Sequence, residues 1–257
     1  MRLFSGIASA WAWFALILGV AVSFVVVLAV AIVTLPFDRR RLVAGRTFRV
    51  CGIVLSFFHP YWQFGISGTV VRPRQRRTVC ISNHESQADP FLVSRLPWEM
   101  KWLSKASIYK VPFLGWSMAI VGDVPIRRGQ KDSVGVAMGE MRAWLDRDVP
   151  VMIFPEGTRS ADGSLGAFKD GAFRLAIEAQ ADLFPVALRG TQAALPKHAW
   201  RFGRSRARVR CGTPISTAGR TLADLEALKA EARAQIVALR EELDRELGLT
   251  DSIRAAS

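Results

Sequence analysis

The run Thr78-Val79-Cys80-Ile81-Ser82-Asn83-His84-Glu85-Ser86-Gln87-Ala88-Asp89-Pro90 decides how this chain folds. Its first four residues are apolar or β-branched and read as a buried strand. Pro90-Phe91-Leu92-Val93 reads as the start of a helix, where proline is well tolerated. His84 therefore sits at a strand-to-helix turn, the place where open α/β sheets hold their ligands. Asp89 follows five residues later, far enough for the chain to double back and set its carboxylate against one imidazole nitrogen. A carboxylate there fixes the tautomer and leaves the other nitrogen free as a base. An Asp before Pro also reads as a helix N-cap. The two roles are compatible, because a carboxylate has two oxygens. A lone histidine beside a strand is more often structural. Of the three histidines here, only His84 has a carboxylate and a hydroxyl so near in sequence.

Downstream, strand-like and helix-like stretches alternate. Trp98 to Ser104 reads as a second strand, and Gly122 to Ile126 as a third that enters a basic loop, Arg127-Arg128-Gly129. Lys131 to Asp146 carries Val134, Met138, Met141, Trp144 and Leu145 at helical spacing. Val149 to Phe154 is a buried strand that runs into Pro155-Glu156-Gly157-Thr158-Arg159-Ser160. There Gly157 lets the backbone approach a ligand, Arg159 offers a planar fork suited to phosphate, and Thr158 adds a hydroxyl. Glu156 is placed to accept a substrate hydroxyl or to hold the arginine; in isolation Glu156 and Arg159 read as a structural ion pair. A helix from Gly171 to Ala179 and a strand from Leu183 to Leu188 follow. The expected fold is α/β: a mixed, largely parallel sheet flanked by helices, with an N-terminal membrane-associated helical segment. The expected division is 1–77 as membrane and interfacial segment, 78–215 as the α/β domain and 216–257 as a C-terminal amphipathic helix.

No charged residue lies between Leu3 and Phe37. Trp11 to Val33 is long enough to cross the ~30 Å hydrocarbon core as one helix. A pair of helices dipping into one leaflet is the alternative. The triple arginine Arg39-Arg40-Arg41 places the chain beyond it on the cytoplasmic face. Val50 to Trp62 is too short to span and reads as an interfacial or a core helix. Arg72, Arg74, Arg76 and Arg77 form a basic strip. Arg204, Arg206, Arg208 and Arg210 alternate with small residues, as on a charge-guarded edge strand. That stripe would also suit an acidic carrier protein or a membrane surface. Pro112 to Val121 is either a core helix or a wall of an apolar tunnel.

The chain has 257 residues, half of them hydrophobic, and a formal net charge of +13. That charge asks for an anionic partner: lipid headgroups, coenzyme A phosphates, an acidic protein or nucleic acid. No RNA-binding aromatic motif or zinc finger supports nucleic acid. Three scattered cysteines, Cys51, Cys80 and Cys211, imply no disulfide framework and no metal site.

Asn83-His84-x-Ser86-x-x-Asp89-Pro90 resembles the first motif of the glycerolipid acyltransferases, the lysophosphatidic acid acyltransferase family. Pro155 to Ser160 matches the family's third motif fully. Gly122 to Gly129 resembles the second, although Ile126-Arg127-Arg128 stands where an Asp often precedes the arginine; Arg128 is the better positional match and Arg127 the alternative. Leu183 to Leu188 resembles the fourth. The likeness covers roughly residues 78–190. It implies acyl transfer from a thioester donor, acyl-CoA or acyl carrier protein, to lysophosphatidic acid, with no further cofactor. It implies His84 as base and Asp89 as its partner. Arg128, Glu156, Gly157, Thr158 and Arg159 would hold the acceptor, Lys169 would add to the phosphate site, and Pro185 would belong to the acyl or acceptor site. Another lysophospholipid or a lyso-aminolipid is the alternative acceptor, a covalent intermediate on Ser86 the alternative mechanism, and a basic membrane-anchored binding protein the alternative that is not an enzyme.

Overall fold

The structure, a computed structural model, describes residues 2–59, 61–72, 77–160, 162–196 and 199–249. Arg74 and Arg76 of the basic strip lie outside them. Two apolar helices open the chain, α1 (Arg2–Thr34) and α2 (Leu42–Phe57). The seven strands are β1 (Trp62–Ser67), β2 (Thr78–Ser82), β3 (Lys101–Lys105), β4 (Val124–Ile126), β5 (Val151–Ile153), β6 (Asp182–Arg189) and β7 (Ser205–Cys211). Between them stand α3 (Asp89–Val93), α4 (Leu114–Val121), α5 (Lys131–Leu145) and α6 (Gly171–Ala179), and α7 (Leu225–Leu247) ends the described chain.

The strands form one sheet in the order β1-β7-β6-β2-β5-β3-β4. β6, β2, β5, β3 and β4 run parallel; β7 is antiparallel to β6 and parallel to β1. The sheet is thus mixed and largely parallel, with helices on both faces. Double covering explains why the central strands read as continuous apolar runs. Val79, Ile81, Val151, Ile153 and Leu183 face the layer of α5, α6 and α7. Cys80, Met152, Phe184, Val186 and Leu188 face the layer that contains α3.

Two expectations change. The sheet begins at Trp62, inside the stretch expected to be interfacial, because the aromatic residues Trp62 and Phe64 pack onto its second face. The arginine-rich strand β7 is not an edge. β1 covers it, and α7 neutralises it: Arg210 Nε lies 3.0 Å from Glu242 and Arg208 Nε 3.5 Å from Glu246. An alternating basic face on a strand reads alike whether solvent or an acidic helix lies above it.

Helix α1 lies across the domain. Trp13 donates its indole N–H to the Trp200 carbonyl at 2.7 Å and packs on Phe202. Phe24 packs on Phe113 and Trp116, and Val27 is fully buried. Ala31 packs with Ile120 and Val121 of α4. Trp13 and Ala31 are about 27 Å apart along a helix, and both touch the α/β domain. The opposite face, including Ile7, Trp11, Phe14, Ile17, Val25 and Val33, is bare.

Charges fasten these helices to the sheet. Arg49 of α2 donates to Asp123 and the Met100 carbonyl and sits 3.5 Å from Glu99; Lys101 reaches Glu99 at 3.3 Å. All four side chains are buried. Burial pulls the Lys101 ammonium below its ordinary value, and Glu99 and Asp123 pull it back. Arg41 caps α4 by donating to the Ala119 and Ile120 carbonyls, while Asp38 accepts from the N–H groups of Leu42 and Val43 to cap α2. Removing one member of a buried ion cluster strands its partner. Arg49→Met is therefore expected to lower the unfolding free energy by about 3–5 kcal/mol, measured by chemical denaturation of the full chain in detergent. A loss below about 1 kcal/mol would show that Asp123 and Glu99 do not depend on it.

Candidate active site

Every site residue stands at or beyond the carboxyl end of a parallel strand. β2 ends at Ser82, and Asn83 clasps the neighbouring strand: its amide exchanges two hydrogen bonds of 2.9 Å with the backbone of Leu188 on β6. The chain then doubles back, and His84 Nδ1 meets Asp89 Oδ2 at 2.6 Å. A carboxylate can only accept here, which assigns the proton to Nδ1 and leaves Nε2 with its lone pair. Among the described residues nothing bonds Nε2. The imidazole stacks on Phe154, centroids 4.3 Å apart, and keeps a 14% exposed edge.

Asp89 is fully buried. Its Oδ2 also accepts from the N–H groups of Glu85 at 2.7 Å and Ser86 at 3.0 Å, and its Oδ1 accepts from the Thr191 hydroxyl. It makes no N-cap bond, since α3 has no side-chain cap. The carboxylate serves the preceding turn rather than the helix it opens. Ser86 donates to the Leu195 carbonyl and accepts from Ala88 N–H, fully buried. Its hydroxyl is committed away from His84, which disfavours it as a nucleophile.

Glu156 stands elsewhere than either of its expected roles requires. One oxygen accepts from His84 N–H at 2.8 Å, the other from Gly166 N–H at 2.8 Å. It ties the turn after β2 to the long loop between β5 and α6 and makes no ion pair with Arg159. Gly157 takes φ +68°, and a Cβ there would press on the Lys169 side chain. Thr158 and Lys169 are exposed, Arg159 is half-buried and Arg128 is exposed. Partial burial, and then the charge of Arg159, hold the Arg128 guanidinium below its ordinary value. The second and third motifs thus bring two arginines into mutual repulsion, and neither forms an ion pair among the described residues. Pro185 is buried inside β6 opposite Ile81, and its carbonyl accepts from Gly212 N–H. It does not line the open site. Its missing N–H falls on the β7 side, where the ladder starts only at Val186.

Three partners had no assignment from sequence: Glu85 and Thr191, both buried, and Arg189, partly buried. Glu85 binds Arg189 at 2.7 Å and accepts from Gly190 N–H at 3.2 Å. Burial pushes its carboxyl up to about 7, Arg189 opposes the shift and Asp89 adds to it. Thr191 is 102 residues from Asp89 in sequence. Only its place just past a strand's carboxyl end could have marked it.

A cavity of ≈ 430 Å³ lies between the N-terminal helices and the domain. Its walls include Val20, Leu55, Phe91, Leu114 and Met118, and it reaches Gln87 and Ala88 just past His84. Leu114 and Met118 belong to the helix expected to be either core or tunnel wall.

The family model described as Acyltransferase matches residues 63–189. A 1-acyl-sn-glycerol-3-phosphate acyltransferase of Chlamydomonas reinhardtii is 33% identical over 174 residues, which cover 67% of this chain and 52% of that protein. The 1-acyl-sn-glycerol-3-phosphate acyltransferase alpha of Mus musculus is 30% identical over 208 residues, covering 78% of this chain and 73% of that protein. The chain spans about half the length of the algal relative and of the chloroplastic relatives from Arabidopsis thaliana and Brassica napus. The crystal structure of the 1-acyl-sn-glycerophosphate (LPA) acyltransferase PlsC from Thermotoga maritima superposes with a TM-score of 0.78 at 20% identity, covering 95% of this chain and 97% of that one; at that identity it speaks for the fold. The histidine–carboxylate pair at the end of β2 and these likenesses agree that the chain belongs to the 1-acyl-sn-glycerol-3-phosphate acyltransferase family.

Proposed function

We propose that the protein transfers a fatty acyl group from a thioester, acyl-CoA or acyl carrier protein, to the sn-2 hydroxyl of lysophosphatidic acid, giving phosphatidic acid. The observation that carries this reading is the His84–Asp89 pair, open at Nε2, together with Arg128 and Arg159, which form no ion pair among the described residues. Nε2 takes the proton of the acceptor hydroxyl as its oxygen attacks the thioester carbonyl. The Asp89 carboxylate stabilises the imidazolium that forms. The tetrahedral intermediate expels the thiolate, and the imidazolium returns its proton to that sulfur. Two guanidinium groups that repel each other, with no counterion among the described residues, favour a phosphate dianion, which relieves their repulsion. The cavity beside Gln87 and Ala88 accommodates the acyl chain.

The same proposal places α1 and α2 in one leaflet of the membrane, with the catalytic domain on the cytoplasmic face. α1 touches the domain along its length and leaves its other apolar face bare, so the bilayer is the solvent for that face. Acceptor and product then remain in the lipid layer next to the site.

Glu156 acts through His84: it holds the His84 backbone rather than a substrate. A glutamine there would turn one acceptor into a donor facing an N–H.

The decisive experiment is acyl transfer by the purified protein in detergent, offered lysophosphatidic acid with acyl-CoA and, separately, with acyl carrier protein. His84→Ala is expected to lower kcat by about 10²–10⁴-fold; activity that survives it rules out this base. Arg128→Ala and Arg159→Ala are expected to raise KM for lysophosphatidic acid and to spare an acceptor without a phosphate monoester. Equal losses on both acceptors would remove the phosphate assignment. Glu156→Gln is expected to lower kcat with little change in KM and to cost about 1–3 kcal/mol of stability. A change in KM alone would return Glu156 to the acceptor site.

A further inference from the structure

Asp89 carries its charge at zero exposure, so each of its oxygens needs a donor. Oδ2 has three: His84 Nδ1, Glu85 N–H and Ser86 N–H. Oδ1 has one among the described residues, the hydroxyl of Thr191, itself fully buried. That hydroxyl is held firmly in place. Gly190 takes φ +93°, and any Cβ there would run into the Arg206 carbonyl. Gly190 N–H and the Arg189 guanidinium both bind Glu85, and Arg189 also binds Asp244 of α7 at 2.5 Å. The Ser205 hydroxyl donates to the Gly190 carbonyl at 2.8 Å. The turn that presents Thr191 is thus fixed from three directions.

We propose that Thr191 is a positioning residue for the His84–Asp89 pair: its hydroxyl fixes the plane of the Asp89 carboxylate and sets how strongly that carboxylate holds a proton on His84. This rests on reading His84 as the base. A donor on Oδ1 disperses the carboxylate charge and weakens its pull on an imidazolium. Without it the undispersed carboxylate charge holds a proton on the imidazole more tightly. The charged groups packed around the pair are Glu85 from its own turn, Arg189 from β6, Arg240 and Asp244 from α7, and Glu156 from the loop after β5. Thr191→Val alters none of them and keeps the volume.

The test compares wild type, Thr191→Val and Thr191→Ser as full chains in detergent micelles. NMR of ring-labelled histidine follows the titration of His84, one of three histidines in the chain and assignable with His84→Gln. The pH profile of kcat/KM is measured alongside. In Thr191→Val the His84 midpoint is expected to rise by about half a unit to one unit, the worth of one hydrogen bond. The acid limb of kcat/KM should rise with it, and kcat should fall about tenfold at unchanged KM. Thr191→Ser should restore all three. A folded Thr191→Val with an unmoved His84 midpoint, or a Thr191→Ser that behaves like it, overturns the proposal. Should the valine variant not fold, Thr191→Cys keeps the volume with a weaker donor: an intermediate midpoint supports the proposal, and a wild-type midpoint overturns it. Wild type without transfer to any acceptor would sink acyl transfer, while the histidine titrations would still decide the role of Thr191.

Discussion

A full negative charge on Asp89, buried at zero exposure, sets the terms for the rest of this structure. An ion moved out of water costs several kcal/mol unless hydrogen bonds replace its hydration. The replacements come from four residues, and they dictate geometry. The chain must double back within five residues, so that His84, Glu85 and Ser86 all point at one oxygen. β6 must end level with β2, so that Thr191 reaches the other. The Ser82–Val186 register and the clasp of Asn83 on Leu188 achieve this. Glu156 brings in the turn after β5 through the His84 backbone.

Charge is treated differently on the two sides of that carboxylate. Behind it, Arg189 pairs with Glu85 and Asp244, and Arg240 donates to the Gly163 carbonyl. In front, Arg128 and Arg159 repel each other without a counterion among the described residues. The contrast gives meaning to the net charge of +13, which by itself names no partner. Arg41, Arg46, Arg49, Arg208, Arg210 and Arg233 are engaged by carbonyls or carboxylates of the same chain. A basic composition therefore overstates the charge on offer to a ligand.

The N-terminal helices answer to two environments. Gly19 lets α2 come so near that a side chain there would run into Leu55, and Val27 is sealed against the domain. Turned the other way, α1 is apolar and uncovered. Uniform apolarity records both contacts without separating them, because a side chain buried in protein and one immersed in lipid satisfy the same hydropathy. The buried cluster of Arg49, Glu99, Lys101 and Asp123 is what couples α2 to the sheet, and with it one wall of the cavity that reaches Gln87 and Ala88.

The sequence by itself determined most elements: the strand before His84, the helices from Lys131 and from Gly171, the strand at Leu183 and the C-terminal amphipathic helix. It also determined the histidine–aspartate pair. Each of these is a local fact, written in periodicity or in a five-residue spacing that one turn can close. That Trp62 to Ser67 is a strand, that β7 lies inside the sheet and that Glu156 accepts from two backbone N–H groups followed only from the packed chain. It also decided that Thr191 completes a carboxylate 102 residues away. Those outcomes depend on which strand ends stand side by side. A buried charge takes its donors from whatever lies within hydrogen-bond reach, and neighbours in space leave no periodicity in the chain.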